Sequence, residues 1–310
     1  MKIGNFDTSE KVFIIAEIGN NHEGDFELAK RMIQLAAEAG ADAVKFQTIV
    51  PERLASCADQ NRIAQLKKFQ LSYAQFEELV RQVRQAGVVF LSTPFDLESA
   101  RFLNQIQPVF KIASGDNAFF PLIDTVAGFN KPIIISTGLC DMEHIQNIYT
   151  RVRDVWQNTN SDPGLALLHC VASYPTSLEQ ANLGAIHTLK TEFPEAVIGY
   201  SDHTLGIDAA IYSVAAGARI VEKHFTLDKN YSGFRDHQLS ADPDEFKNMV
   251  AGIKNVSQML RSGQKIPCQF EESTAINIRR SIAASVNLPE GTVLSKQHLT
   301  WVRPGTGLQP

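Results

Sequence analysis

Two short runs in this chain each place a histidine directly after an apolar, strand-like stretch: GYSDHT at 199–204 and VEKHFT at 221–226. In a parallel α/β protein, ligands gather at the carboxyl ends of the strands. Two successive strands that each deliver a histidine there, His203 and His224, describe a two-histidine metal site. Imidazole suits a divalent transition metal such as manganese or zinc, and two ligands leave positions open for water and substrate.

Other strand-like runs also end in polar groups that a buried strand does not need. Glu17 stands inside FIIAEIG and is followed by Asn20, Asn21 and His22; Lys45 and Gln47 end AVKFQ, and Ser92 and Thr93 end the third run. Lys111 with Ser114-Gly115-Asp116 comes next, then Ser136-Thr137-Gly138, then His169, Ser173 and Tyr174. Ser201-Asp202-His203 and Glu222-Lys223-His224 complete the series. Each member alone has a plain structural reading. A strand-end lysine can reach solvent along its own stem, Ser136-Thr137-Gly138 could cap the next helix, and a histidine such as His169 can be a hydrogen-bonded packing residue. Glu17 is harder to dismiss, because a carboxylate within an apolar run is costly to bury without a partner. The coincidence of so many polar groups at strand ends is what points to a site. Lys45 and Lys111, with Ser114, Ser136 and Ser201, can hold a phosphate through charge-assisted bonds and hydroxyl donors. A metal on the histidine pair would act as a Lewis acid on a carbonyl oxygen. The combination describes carbon–carbon bond chemistry on a phosphorylated small molecule.

The elements that must position these groups follow from periodicity. Strands are predicted at 12–18, 43–47, 88–92, 109–112, 132–136, 165–169, 196–200 and 219–223. Amphipathic helices are predicted between and after them at 25–39, 73–86, 97–105, 142–157, 207–216 and 243–260, with Gly40, Gly87 and Gly217 as left-handed stops. This alternation fits a (β/α)8 TIM barrel. A doubly wound sheet would show a glycine-rich phosphate loop after the first strand, where this chain has EIGNNHEG instead. The barrel is expected over 1–262, a polar linker over 263–275, and a short C-terminal segment over 276–310 with two strand-like runs and a PEG turn. That segment is too small for an independent core and must dock on the barrel or on another subunit.

Bulk properties narrow the partners. A net charge of −5 without blocks of like charge argues against nucleic acid and membrane surfaces. The first apolar run is short and interrupted by Glu17, so it reads as a strand rather than a targeting signal, and no run approaches the length of a membrane span. The four cysteines are scattered without CxxC spacing, which is consistent with a reducing, cytoplasmic setting.

The blocks IAEIGNNHEGD (15–25), AVKFQT (43–48), LSTPFD (91–96), FKIASGD (110–116), PIIISTG (132–138), LLHCVASYP (167–175), IGYSDHT (198–204) and VEKHFTLD (221–228) together resemble the N-acetylneuraminate (sialic acid) synthase family, in order along nearly the whole barrel. The tail, with RRSIAA and WVRPGTG, resembles the start of that family's antifreeze-like (SAF) domain, so 276–310 is expected to be a truncated form of it. The resemblance implies condensation of phosphoenolpyruvate with the aldehyde of an N-acylmannosamine-type sugar, giving a nonulosonic acid and phosphate. It also implies manganese or magnesium on His203 and His224, and phosphoenolpyruvate gripped by Lys111, Ser114, Ser136 and Ser201. Lys45, Gln47 and Thr93 would line the pocket near the reacting carbons, and Glu17, Tyr174 and Asp236 would face the sugar. Glu17 is further expected to position water or shuttle a proton. Arg303 would reach the partner's site in a domain-swapped homodimer.

Two departures from the family pattern stand out. Ala172 replaces an asparagine or serine, a contact that Ser173 would have to supply, and SGFRDH (232–237) replaces a PGPD-like loop. The sugar is therefore open among neuraminic, legionaminic and pseudaminic acid precursors and a phosphorylated sugar. The rival readings are a related phosphoenolpyruvate-condensing synthase for a shorter keto-sugar acid, and a non-catalytic sugar-binding barrel.

Overall fold

Eight short runs of β-branched and apolar residues become parallel strands, each followed by a helix. The strands are β1 (Phe13–Gly19), β2 (Ala43–Thr48), β3 (Val89–Pro94), β4 (Phe110–Ile112), β5 (Ile133–Ser136), β6 (Leu165–Cys170), β7 (Val197–Asp202) and β8 (Ile220–His224). The helices are α1 (Phe26–Glu38), α2 (Tyr73–Gln85), α3 (Leu97–Leu103), α4 (Phe120–Ala127), α5 (Met142–Asn158), α6 (Gly184–Glu192), α7 (Asp208–Ala215) and α8 (Pro243–Leu260). The computed structural model describes residues 1–260 and 263–310, which form two compact units, Met1–Leu260 and Arg261–Pro310.

In the first unit the ladder runs β3-β2-β1-β8-β7-β6-β5-β4, so β1 pairs with β8 and the sheet curls into the expected (β/α)8 barrel. At the seam between β3 and β4 a side chain stands in for the ladder, where the amide oxygen of buried Gln107 accepts the Ser92 N–H at 2.7 Å. Strand alternation then creates two cores. Ile14, Ala16, Ile18, Val44 and Phe46 face outward and pack with Ile33, Ala36 and Leu79 of the helices. Phe13, Ile15, Ala43, Leu91, Ile134, Leu168 and Ile220 face inward. The N-terminal hairpin, Lys2–Ile3 with Phe6–Asp7, closes the amino end of the barrel by adding Ile3 to the inner cluster.

Local chemistry sets the helix ends. Asp25, Asp96 and Asp141 accept N–H bonds at the starts of α1, α3 and α5, and Ser72 with Gln75 forms a capping box on α2. Each cap contributes about 1 kcal/mol. Gly40, Gly87 and Gly217 take the positive φ expected of them.

The second unit holds an antiparallel pair, Ser281–Ala284 with Leu299–Val302, as the two strand-like runs predicted. The stretch expected to be linker is partly ordered instead, for Gln269–Ile278 is a helix whose Glu271 carboxylate accepts the Cys268 N–H at 2.7 Å. The bounds 261–262 lie outside the described residues.

Candidate active site

Strand parity sorts the polar strand ends into two groups. On β8, Glu222 and His224 point into the barrel mouth and Lys223 points away; on β7, Ser201 points in and Asp202 away. The two outward residues meet each other in a sealed pair, Lys223 Nζ to Asp202 Oδ2 at 2.8 Å. Tyr200 donates its hydroxyl to Asp202, and its ring stacks on His169, whose Nε2 bonds the Ala181 carbonyl. Asp202, Lys223 and His169 therefore serve packing and are not part of the mouth.

The inward groups form a buried ionic cluster. Lys45 Nζ lies 3.1 Å from Glu17 Oε2, 3.3 Å from Glu222 Oε1 and 3.5 Å from Thr93 Oγ1. Lys111 Nζ donates to Ser136 Oγ at 2.6 Å and lies 3.7 Å from Glu222 Oε1, which also accepts from Ser201 Oγ at 3.1 Å. Gln47 donates to Glu17 Oε1 at 3.0 Å and accepts from Asn20 at 2.9 Å. Burial raises the Glu17 carboxyl to about 7, with Lys45 opposing and Glu222 adding to the rise. Burial also works against ionised Glu222, but Lys111 and Lys45 together hold its pKa below the ordinary value. Burial pulls the Lys111 ammonium down; for Lys45 the two carboxylates outweigh burial and push it up. Glu222 Oε2 keeps no hydrogen-bond partner among the described residues. Two lysines and two hydroxyls around one firmly ionised carboxylate leave room for an anion with several acceptor oxygens.

Ser114 sits on the same wall, its Oγ accepting the Gly138 N–H at 3.1 Å. A Cβ on Gly138 would come within 2.6 Å of that oxygen, so only glycine allows the approach. Ser136-Thr137-Gly138 does not cap α5; Asp141 does, while Thr137 donates to the Leu168 carbonyl. Cys170 lies beneath, 3.5 Å from Ser114 Oγ, with its thiol pKa raised by burial.

The imidazoles of His203 and His224 have centroids 5.5 Å apart. His203 Nδ1 bonds the Val171 carbonyl at 2.8 Å, which makes that nitrogen the donor and leaves Nε2 with a free lone pair. His224 Nδ1 is buried without a hydrogen-bond partner among the described residues. Burial lowers both pKa values, so both rings are neutral at pH 7, as metal ligands must be. Among the described residues no group of three or more His, Cys, Asp or Glu is arranged to hold a metal. The residues thus fit a cation held by two imidazoles with its other positions open, and do not fit a closed structural site.

The outer part of the site comes from loops. The Tyr174 ring lies tilted against His203, centroids 4.1 Å apart, and the Arg235 guanidinium sits 4.9 Å over the Tyr174 ring. Asp236 opens a short helix, Asp236–Leu239; burial raises its carboxyl pKa, and Arg235 Nε lies 3.3 Å from Oδ1. This loop is fastened to the one after β1: Glu23 accepts from Ser232 and lies 3.0 Å from His237 Nε2, and His237 Nδ1 is 2.7 Å from Thr226 Oγ1. The cavity measures about 990 Å³, large for a small-molecule site. Glu17, Lys45, Gln47, Lys111, Ser114, Ser136, Tyr174, Ser201, His203, His224 and Asp236 all line it. Thr93 does not; it is buried behind Lys45. Ser173 turns its hydroxyl to the Pro175 carbonyl. Arg303 belongs to the second unit, directly after the Leu299–Val302 strand. Sequence reasoning named Glu222 among the polar strand ends but gave no role to this carboxylate shared by both lysines, and it did not foresee the wall formed by helix Gln60–Phe69.

Comparison with known proteins places the chain among its relatives. The sequence profile of the NeuB family matches residues 32–265. An uncharacterised protein of Methanocaldococcus jannaschii is 46% identical over 97% of this chain and 87% of its own length. The N,N'-diacetyllegionaminic acid synthase of Legionella pneumophila is 39% identical over 98% of this chain and 88% of its own. The crystal structure of N-acetylneuraminic acid synthetase from Leptospira borgpetersenii superposes with a TM-score of 0.82 at 34% identity, covering 88% of this chain and 94% of that one. With matches of this extent on a barrel whose mouth carries this set of groups, the chain is an enzyme that belongs to the NeuB family.

Proposed function

We propose that this enzyme condenses phosphoenolpyruvate with the open-chain aldehyde of an N-acylmannosamine-type sugar, yielding a nonulosonic acid and inorganic phosphate. The observation that carries the reading is the buried array of Lys45 and Lys111 around Glu222, next to two neutral, unprotonated imidazoles in the same cavity. Lys111, Ser114, Ser136 and Ser201 hold the phosphate of phosphoenolpyruvate, and Lys45 with Gln47 fixes its reacting end; Thr93 supports Lys45 from behind. Tyr174 and Asp236 face the sugar. His203 and His224 would hold a divalent metal, manganese or magnesium, which when bound supplies Lewis-acid polarisation of a carbonyl oxygen.

The enol carbon of phosphoenolpyruvate bonds to the aldehyde carbon, whose oxygen becomes a hydroxyl by taking up one proton, the equivalent of the proton that the added water gives to Glu17. Water adds to the cationic carbon left behind and gives up a proton to Glu17, whose pKa of about 7 suits a base at neutral pH. The tetrahedral carbon then forms its ketone, its hydroxyl proton passing to the phosphate that is expelled by carbon–oxygen cleavage. Glu222, kept ionised, offsets the lysines throughout and prevents two buried cations from repelling each other. The relatives are named for different sugars, so support for the acceptor extends to the class of N-acylated amino sugars. In this reading the tail is the opening segment of an antifreeze-like domain, Arg303 completes the partner's site in a domain-swapped homodimer, and the enzyme works in the cytosol. The motifs RRSIAA and WVRPGTG support the first two points. Among the described residues no helix is long and apolar enough to cross a membrane.

The test is phosphate release from phosphoenolpyruvate against a panel of N-acylated hexosamines, before and after chelation and with manganese restored. Release that requires both a sugar and the metal is expected. Release without a sugar, or none with any member of the panel, overturns the reading.

A further inference from the structure

The outer wall of the cavity carries three cations that neither the buried lysine cluster nor the imidazole pair uses. Helix Gln60–Phe69 turns Arg62, Gln65, Leu66 and Phe69 toward the cavity, at the three- and four-residue spacing of one helical face, with Lys68 beside them. The SGFRDH loop adds Arg235, and the Phe69 and Phe234 rings meet at 5.1 Å, so the two segments join over the opening. The carboxylates nearby neutralise this rim only in part, through Asp236, which is ion-paired with Arg235. Arg62 bonds a neutral amide, Gln65, at 2.7 Å, and Lys68 forms no ion pair among the described residues. Glu23 is occupied by Ser232 and His237, and Asp236 pairs with the Nε of Arg235 alone, at 3.3 Å, so one carboxylate stands against the three cations. The phosphate of phosphoenolpyruvate needs none of these groups, because Lys45 and Lys111 lie at the bottom of the cavity.

We propose that Arg62, Lys68 and Arg235 form a second anion subsite, which receives a phosphate ester carried by the acceptor sugar at the end away from its aldehyde. The preferred acceptor is then a phosphorylated N-acyl hexosamine. The inference rests on the condensation reading for which sugar end is reactive, but its chemistry is separate: guanidinium forks and an ammonium around a dianion at a partly solvated rim.

Calorimetric binding of N-acetylmannosamine and of N-acetylmannosamine 6-phosphate to the full chain tests it, alongside phosphate release with each. The ester should bind at least about tenfold more tightly than the neutral sugar. In R62Q/R235Q the ratio of the two affinities should fall to near one, with K68Q lowering it part of the way. Equal binding by the wild type, no binding of the ester, or a ratio that survives in R62Q/R235Q would each overturn the subsite. Turnover of the neutral sugar without preference for the ester rejects the subsite and leaves the condensation intact. Selective binding of the ester without any turnover does the reverse.

Discussion

At the residue scale the site is governed by how two carboxylates divide two lysines. Glu222 touches both and stays ionised; Glu17 touches one, and burial leaves its pKa at about 7. The sign of the consequence is fixed. The unfolded chain releases the Glu17 proton near 4.5 and the folded chain near 7, so stability falls as pH rises across that window and levels off above it. Glu17→Gln stays neutral throughout. Its melting temperature relative to the wild type should therefore rise from pH 4.5 to pH 7, as thermal denaturation in a buffer series would read. The same variant should lose the ascending limb of kcat/KM near pH 7 and about 10²–10⁴ in kcat. A limb that persists at full rate removes Glu17 as the base. Much of this cluster was legible in sequence, because polar residues at strand ends are visible without coordinates. The role of Glu222 was hidden only because VEKHFT was read as one packet. Parity would have found it, since a strand that turns His224 inward turns Glu222 inward and Lys223 out. The Asp202–Lys223 pair is the same rule in its structural form.

At the scale of elements, the strands were easy to read and the loops were not. Buried parallel strands announce themselves as apolar runs, and all eight lie within two residues of their predicted bounds at either end. Helix Gln60–Phe69 has only Ile63 and Leu66 buried, too few to give an apolar stripe, so the wall it builds had no periodic signal. The fastening of Glu23 to Ser232 and His237 joins positions more than 200 apart and depends on tertiary placement. Gly199 shows what the barrel demands of a strand. It faces the inner core, where a Cβ would lie 2.4 Å from Leu168 Cδ2 and 2.5 Å from the Ile220 carbonyl oxygen. The backbone oxygen cannot rotate away, so Gly199→Ala must push β7 from β8. That costs about 1–3 kcal/mol of overpacking, visible as a lowered melting temperature. It should also lower kcat, because Ser201 rides on this strand and His203 directly follows it. An unchanged melting temperature would mean that the strand pair yields without strain.

At the scale of the whole molecule, the barrel and the tail differ in how much their sequences determine. The barrel's block motifs each combine a strand with its functional end, so fold and site are encoded in the same residues and were recognised together. The tail forms a small unit that, among the described residues, holds a hairpin and a helix that its polar sequence did not suggest. A unit that small gains little from its own core, and its role depends on what it meets. The domain-swap reading makes that role specific: Arg303 of one subunit serves the cavity of another. Two variants can decide it. Arg303→Ala keeps an intact barrel cavity, and Lys111→Ala keeps an intact tail. Each alone should lose most activity. When the two are unfolded together and refolded as a mixture, half the dimers are mixed, and one of the two sites in each has both Lys111 and a partner's Arg303. Recovery of about a quarter of wild-type activity is expected for a symmetric swapped dimer. If Arg303 acts on its own subunit's cavity, no mixed dimer contains a complete site, and activity stays at the level of the single variants. Sedimentation of the refolded mixture confirms that dimers formed, which separates a failure to pair from a failure to complement.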